Sequence, residues 1–146
     1  MNKDSSRQRL RLEMASSHAN IEKAVDQAES FFSKLLDDED LIYNLVLLTS
    51  EAVTNGMEHG NRFNESKMIF VEFVVDAKRI EISVEDQGPG FVREQVPDPL
   101  TDAQLFASGG RGLFLLESIA DEVTYENEGR KTRVFFDRVD NERPLK

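Results

Sequence analysis

The chain has 146 residues, 39% of them hydrophobic and ten of them phenylalanine, and a net charge of −10. This length and apolar content predict one packed domain over residues 1–146. The acidic excess argues against nonspecific nucleic-acid binding, and the absence of cysteine excludes disulfides and thiolate metal sites. Because the sequence has neither an apolar run of membrane-spanning length nor a leader-like start, we expect a cytoplasmic protein that does not contact membranes.

The first half of the chain predicts one strand followed by two helices. Residues 9–14 alternate between polar and apolar side chains, as a half-buried strand does. Apolar residues at helical spacing over 21–36 predict a first helix of about four turns. Three residues just before it offer N-cap oxygen atoms: Ser16, Ser17 and Asn20. The acidic run 37–40 suits the start of a second helix, which we expect to end near Gly60, because carboxylates favour the positive end of the helix dipole.

The second half predicts two hairpins separated by a segment with little regular pattern. The stretch 66–76 is β-branched and aromatic with apolar residues on one face, and 79–86 alternates cleanly. Together they predict an antiparallel hairpin. The stretch from Gly88 to Gly112 lacks strong elements, which in a compact domain indicates a functional lid, placed at about 91–108. A short helix and a closing hairpin follow, predicted at 113–120, 123–126 and 132–136.

This order of elements predicts an α+β fold. Helices grouped beside a mixed, mainly antiparallel sheet form a two-layer sandwich with the helices on one face.

Polar residues recur on one face of the second predicted helix. Glu51, Asn55 and His59 are four residues apart and span roughly 80° of that face. The set is either a solvated polar face or part of a site. We expect His59 to pack or to cap rather than to catalyse.

Asp86 continues the apolar phase of its strand and therefore projects from the core face at the strand end. A buried carboxylate without donors costs about several kcal/mol, so Asp86 needs a dedicated partner. That partner is either a backbone N–H group or the exocyclic amine of a bound ligand. The glycines at 88 and 90 allow a tight turn where a flat ligand can approach the backbone.

Glycines cluster at the polar candidates. Gly109, Gly110 and Gly112 precede a helix, which is a common arrangement for phosphate binding, or alternatively a flexible hinge. Seven of the eight glycines lie at this position, beside Asp86 or in the second helix. This coincidence favours a single ligand site. An acidic chain that binds phosphate also needs a divalent cation, backbone N–H groups or a helix N-terminus.

Three motifs occur in a fixed order: Glu51-x-x-x-Asn55-x-x-x-His59-Gly60, Asp86-x-Gly88-x-Gly90 and Gly110-x-Gly112-Leu113. In order and separation they resemble the N box and the two glycine boxes of the GHKL ATPase superfamily, whose ATP-binding domains have the Bergerat fold. Residues 9–136 are most similar to the small anti-sigma factor serine/threonine protein kinases of bacterial partner-switching systems. The resemblance implies ATP and Mg²⁺ as ligands.

The resemblance also implies a role for each motif residue. Glu51 would be the general base, Asn55 would bind Mg²⁺ through its amide oxygen, and Asp86 would bind the adenine amino group. Thr132 would help to bind adenine through water, or is an ordinary inward-facing strand residue. Arg111 departs from the usual glycine-leucine-glycine pattern and would contact the γ-phosphate or a partner, or remain solvated. The remaining motif residues would hold the nucleotide: Gly88, Gly90, Gly110, Gly112 and Leu113.

The implied function is that of an anti-sigma factor that phosphorylates an anti-sigma factor antagonist and binds a sigma factor, without direct nucleic-acid contact. One alternative is a nucleotide-gated anti-sigma binding module with little or no kinase activity. Another is an ATP-binding domain of a larger sensor or phosphatase. The family also implies a homodimer, and the alternating residues Leu10, Leu12 and Met14 would suit a strand at a subunit interface.

Overall fold

The computed structural model describes residues 7–96 and 110–138, except the side chain of Arg111. Five strands and three α-helices follow one another in the order that the sequence predicts. The elements are β1 (Gln8–Ala15), α1 (His18–Leu35), α2 (Glu39–Asn55), β2 (Met68–Val75), β3 (Arg79–Glu85), α3 (Gly110–Ile119), β4 (Glu122–Glu126) and β5 (Lys131–Asp137). Within these described ranges, no helix has the length and apolar content that crossing a bilayer requires.

The strands form one sheet in the order β1-β2-β3-β5-β4. The sheet was expected to be mixed and mainly antiparallel, and all four pairings between described strands are antiparallel. The three helices pack together and against the sheet, which confirms the predicted α+β two-layer architecture. Both predicted hairpins are present, as the pairs β2–β3 and β4–β5.

The core lies between the helices and one face of the sheet. The inward-facing positions predicted for β2 and β3 are confirmed as buried. In β3 the intervening residues are polar, whereas β2 carries Phe70 and Val74 between its inward positions, and Val74 is also buried. Burying one such side chain stabilises the fold by about 1.5–3 kcal/mol. Six of the largest fully buried side chains are Phe32, Leu45, Leu48, Phe73, Ile82 and Leu116.

The two long helices begin differently. At α2, the Asp38 side chain caps the helix by accepting a 3.1 Å hydrogen bond from the Leu41 N–H, as the acidic run predicts. At α1, Ser17 occupies the N-cap position but makes no side-chain cap hydrogen bond, so its predicted capping is wrong. Asn20 donates instead to the Ala15 carbonyl at 2.8 Å, which ties the helix to the end of β1.

The apolar side chains of β1 face the chain's own core. Met14 is buried, and Leu10 and Leu12 pack against the chain's own core. The expectation that these three residues suit a strand at a subunit interface stays a prediction. β1 is nevertheless an edge strand of the sheet, paired with β2 on one side.

Only the first part of the predicted lid falls within the described residues. A short 3₁₀ turn spans Arg93–Gln95, and residues 97–109 lie outside the described residues. The helix that follows begins at Gly110, three residues earlier than predicted. Glycine is a poor helix former in isolation, and α3 packs against α2.

Candidate functional site

A cavity of about 260 Å³ opens at the C-terminal end of α2. Its lining combines residues from the predicted motifs with a residue of β5. The predicted site residues that line it are Asn55, Asp86, Gly90, Leu113 and Thr132. The structure thus brings together side chains that are up to 77 positions apart in the sequence.

The helical course of α2 continues to Gly60, as expected, but its last five residues, Gly56–Gly60, form a π-helical turn. Single π turns inside helices are frequent at functional sites. His59 lies in this turn and lines the cavity, with its side chain 46% exposed and 3.7 Å from Glu58. The even α-helical spacing predicted for Glu51, Asn55 and His59 therefore holds only as far as Asn55.

The π turn places Gly60 in direct contact with Asp86. A Cβ atom at Gly60 would lie 2.5 and 2.7 Å from the two carboxylate oxygens of Asp86, too close for any side chain. A Cβ atom at Gly88 would in turn overlap the backbone of Gly60. These two glycines therefore let the end of α2 and the loop after β3 meet directly beside the Asp86 carboxylate.

Asp86 lines the cavity and has one internal partner. The N–H of Gly88 donates to its Oδ1 at 2.8 Å, which is the backbone partner that the sequence left open as one alternative. Among the described residues, no donor meets Oδ2. Burial raises the pKa of the Asp86 carboxyl above its ordinary value of 3.8, and the Gly88 hydrogen bond and the Arg130 charge oppose this only in part. The carboxylate is therefore short of hydrogen-bond donors, and a ligand amine in the cavity would supply one.

The loop that carries Asp86 is held by Asn61, which is 1% exposed. The side-chain oxygen of Asn61 accepts from the Gln87 N–H at 2.8 Å. Its amide nitrogen donates to the Ser16 hydroxyl at 2.7 Å and to the Met68 carbonyl at 2.9 Å. The sequence pattern pointed to no role for Asn61. The only signal was a polar residue directly after the His59-Gly60 pair, and two of its three partners lie 26 and 45 positions away.

Asn55 lies against the first turn of α3. A Cβ atom at Gly112 would lie 2.7 Å from the Asn55 amide nitrogen and 2.9 Å from its oxygen. The amide nitrogen is buried without a hydrogen-bond partner among the described residues. A buried polar atom of this kind is costly unless a ligand engages the group. A carboxamide also offers the hard oxygen ligand that Mg²⁺ prefers, so the residues present fit a bound Mg²⁺–nucleotide.

The other predicted site residues differ in position. Thr132 lines the cavity, opposite Val84 of β3 in the sheet register. Glu51 is half-buried one turn before Asn55 and is not part of the cavity lining. Within the described part of the chain, no hydrogen bond or ion pair involves the Glu51 carboxylate. The side chain of Arg111 lies outside the described residues.

The fold and the cavity agree with the class of protein that a family comparison identifies. The family model of the histidine kinase-like ATPase domain matches residues 14–136, and the chain belongs to this family. The predicted membership of the GHKL superfamily, in its anti-sigma kinase branch, is thereby confirmed by the family match together with the relatives that follow.

Three relatives are particular members of that branch. A serine-protein kinase RsbW from Listeria monocytogenes is 35% identical over 97 residues, which cover 62% of this chain and 62% of that protein. A serine-protein kinase RsbW from Bacillus subtilis is 30% identical over 110 residues, or 71% of this chain and 69% of that protein. An anti-sigma F factor from Clostridium perfringens is 27% identical over 136 residues, or 91% of this chain and 97% of that protein. The match to the Listeria protein thus spans under two thirds of its length.

Proposed function

We propose that this chain is an anti-sigma factor and an ATP-dependent protein serine/threonine kinase that phosphorylates an anti-sigma factor antagonist. The observation that carries the proposal is the cavity shared by Asn55, Asp86 and Thr132, in a chain similar to proteins named serine-protein kinases. The protein partners are a sigma factor and the antagonist, both in the cytoplasm, and a second copy of this chain is a further proposed partner.

The base of the nucleotide is recognised at the Asp86 end of the cavity. The free Oδ2 of Asp86 accepts from the exocyclic amine of adenine, and Thr132 adds a hydrogen bond through water. Gly90 lines the cavity, whereas Gly88 allows the Gly60 backbone to approach beside Asp86. This assignment is supported by the raised pKa of Asp86, because an added donor stabilises the charged form.

The phosphates and the metal are held at the Asn55 end. The first turn of α3 carries backbone N–H groups without intrahelical partners, which favour phosphate at residues 110–113. The Asn55 oxygen is a ligand for Mg²⁺, and Arg111 is a further candidate contact for the γ-phosphate. When bound, Mg²⁺ neutralises phosphate charge.

In the transfer step, Glu51 accepts the proton of a Ser or Thr hydroxyl on the antagonist. The hydroxyl oxygen forms a bond to the γ-phosphorus as the bond from that phosphorus to the bridging oxygen breaks, which releases ADP. Positioning and charge neutralisation supply most of the rate in such reactions. The support for Glu51 is its place one helical turn from Asn55, together with the absence of a competing described partner.

A second function is favoured by one observation. Glu51 lies outside the cavity lining, which is compatible with a module that binds a sigma factor under nucleotide control without phosphorylating anything. Incubation of the parent protein with radiolabelled ATP, Mg²⁺ and a candidate antagonist separates the two functions. Transfer of label supports the kinase. Sigma-factor binding that depends on nucleotide, without transfer, supports the binding module.

The role of Glu51 is tested in the same assay. We expect Glu51→Ala to retain ATP binding and to lose label transfer by at least about 100-fold, because general-base catalysis contributes about 10²–10⁴-fold. Glu29→Ala, an exposed substitution on α1, serves as the matched control and should transfer at the parent rate. Transfer by Glu51→Ala at the parent rate removes Glu51 from the mechanism.

The nucleotide assignment is tested by calorimetry with ATP and ADP, with and without Mg²⁺. We expect Asp86→Asn to weaken binding by at least tenfold, whereas Asp26→Asn, an exposed change of the same chemistry on α1, leaves it unchanged. An unaltered affinity in Asp86→Asn argues against the adenine contact. No binding by the parent protein at millimolar ATP refutes the nucleotide site itself.

A further inference from the structure

Three side chains beside the cavity form a polar cluster that the proposed function does not use. Arg93 makes a bidentate ion pair with Glu117 of α3, from Nε to Oε2 at 2.6 Å and from a terminal nitrogen to Oε1 at 2.8 Å. The hydroxyl of Tyr125 on β4 also donates to Glu117 Oε2. We call these three residues the Glu117 cluster. It joins three separate parts of the chain through one carboxylate.

The Glu117 cluster lies directly behind two walls of the cavity. Phe91, two residues before Arg93, lines the cavity. Its ring packs edge-on against the Tyr125 ring, with 5.4 Å between the ring centroids. On the α3 side, Leu116 precedes Glu117 and lines the cavity as well. No member of the cluster lines the cavity itself. Its members can therefore affect a bound ligand only by holding residues 91–96 against α3.

The cluster is built to persist at neutral pH. The side chains of Arg93 and Glu117 are only 27% and 35% exposed, and bidentate pairs of this type are stronger and more specific than ordinary surface ion pairs. Arg93 lowers the pKa of Glu117 below its ordinary value of 4.5, so the carboxylate is charged. Burial and the nearby carboxylate raise the pKa of Tyr125, so its hydroxyl keeps the proton that it donates.

We propose that Arg93, Glu117 and Tyr125 are positioning residues that hold the 91–96 segment against α3 and thereby slow the release of bound nucleotide. The inference rests on the proposed nucleotide site. The Glu117 cluster keeps the spacing between the two sides of the cavity. One side is formed by Phe91, Gln95 and Val96, and the other by Leu113 and Leu116. Loosening the cluster lets the two walls separate, which shortens the residence time of a ligand more than it changes the rate of its entry.

The test measures the dissociation of a fluorescent ATP analogue by stopped-flow displacement with excess ATP. We expect Glu117→Gln to raise the dissociation rate by about fivefold or more and the association rate by less than twofold. Tyr125→Phe, which removes a single hydrogen bond, should raise the dissociation rate by about twofold. The double variant Arg93→Glu/Glu117→Arg exchanges the charges, and we expect it to recover most of the loss.

The matched control is Glu122→Gln. Glu122 pairs with Arg79 at 2.8 Å and does not line the cavity, so this change removes a similar ion pair elsewhere. It should leave the dissociation rate at the parent value.

Hydrogen exchange without nucleotide provides a second readout. We expect faster exchange of the amides of residues 91–96 in Glu117→Gln than in the parent, with the amides of α1 unchanged.

Each outcome bears on the proposal. Parent-like dissociation and exchange in Glu117→Gln overturn the positioning role while leaving the nucleotide site intact. An equal effect of Glu122→Gln, or no recovery in the charge-exchanged variant, also overturns it, because the change is then a general loss of stability. If the parent protein binds no analogue, the proposed function and this inference both fail.

Discussion

Gly60→Ala tests whether the contact between the π turn and Asp86 is what makes the cavity fit a nucleotide. The new Cβ atom would lie 2.5 Å from one carboxylate oxygen of Asp86, whereas ordinary contact begins at 3.4 Å. The nearest Asp86 atom, Cγ, would lie only 2.4 Å from a Cβ atom that is fixed to the backbone, so the carboxylate must shift by about 1 Å. A shift of that size moves Asp86 out of hydrogen-bond geometry with a fixed ligand amine.

The expected cost follows from the loss of one hydrogen bond to a charged group, which is about 1.5–3 kcal/mol. This corresponds to about a 10- to 160-fold rise in the Kd for ATP. The fold should survive, because alanine is a better helix former than glycine by about 1 kcal/mol, which offsets part of the local strain.

Calorimetry with ATP and Mg²⁺ measures the Kd, and thermal unfolding reports on the fold. The matched control is Gly56→Ala in the same π turn. Its new Cβ atom meets the flexible end of Ile69 at 2.9 Å and lies at an ordinary 3.7 Å from the Asp86 Cβ. We expect Gly56→Ala to change the Kd by less than threefold. A folded Gly60→Ala variant with the parent Kd would refute the reasoning.

Two further predictions concern stability. Asn61→Ala leaves the Gln87 N–H and the Met68 carbonyl without their partner. We therefore expect the free energy of unfolding, measured by urea denaturation, to fall by about 3 kcal/mol. A fall below about 1 kcal/mol would contradict this. For Asp86 the folded-state pKa is raised, so its contribution to stability is full below pH 3.8 and is lost as the pH rises through the folded-state pKa. Asp86→Asn should therefore have a higher Tm than the parent at pH 7 without nucleotide, with the difference shrinking at pH 4. A lower Tm at pH 7 would show that burial does not penalise this carboxylate.

Much of the fold was predictable because it depends on local periodicity. The alternation in 66–76 and 79–86 predicted the central hairpin, since a period of two exposes one face of a strand to the core. The acidic run at 37–40 predicted the start of α2, because a capping carboxylate acts over a single turn. Asp86 was predicted as a site residue for a similar reason: its phase along β3 directs a charge toward the core face.

The order of elements, the apolar faces and the clustering of glycines around a few polar residues are readable from the chain alone, because each of these depends on neighbours within a few positions. Tertiary structure alone decided the π turn, the hydrogen bonds of Asn61 and the Glu117 cluster. The partners of Asn61 lie as far as 45 positions away. Their geometry depends on how the packed helices and sheet place distant backbone atoms within about 3 Å of one another, and a local pattern of residue types does not contain that distance.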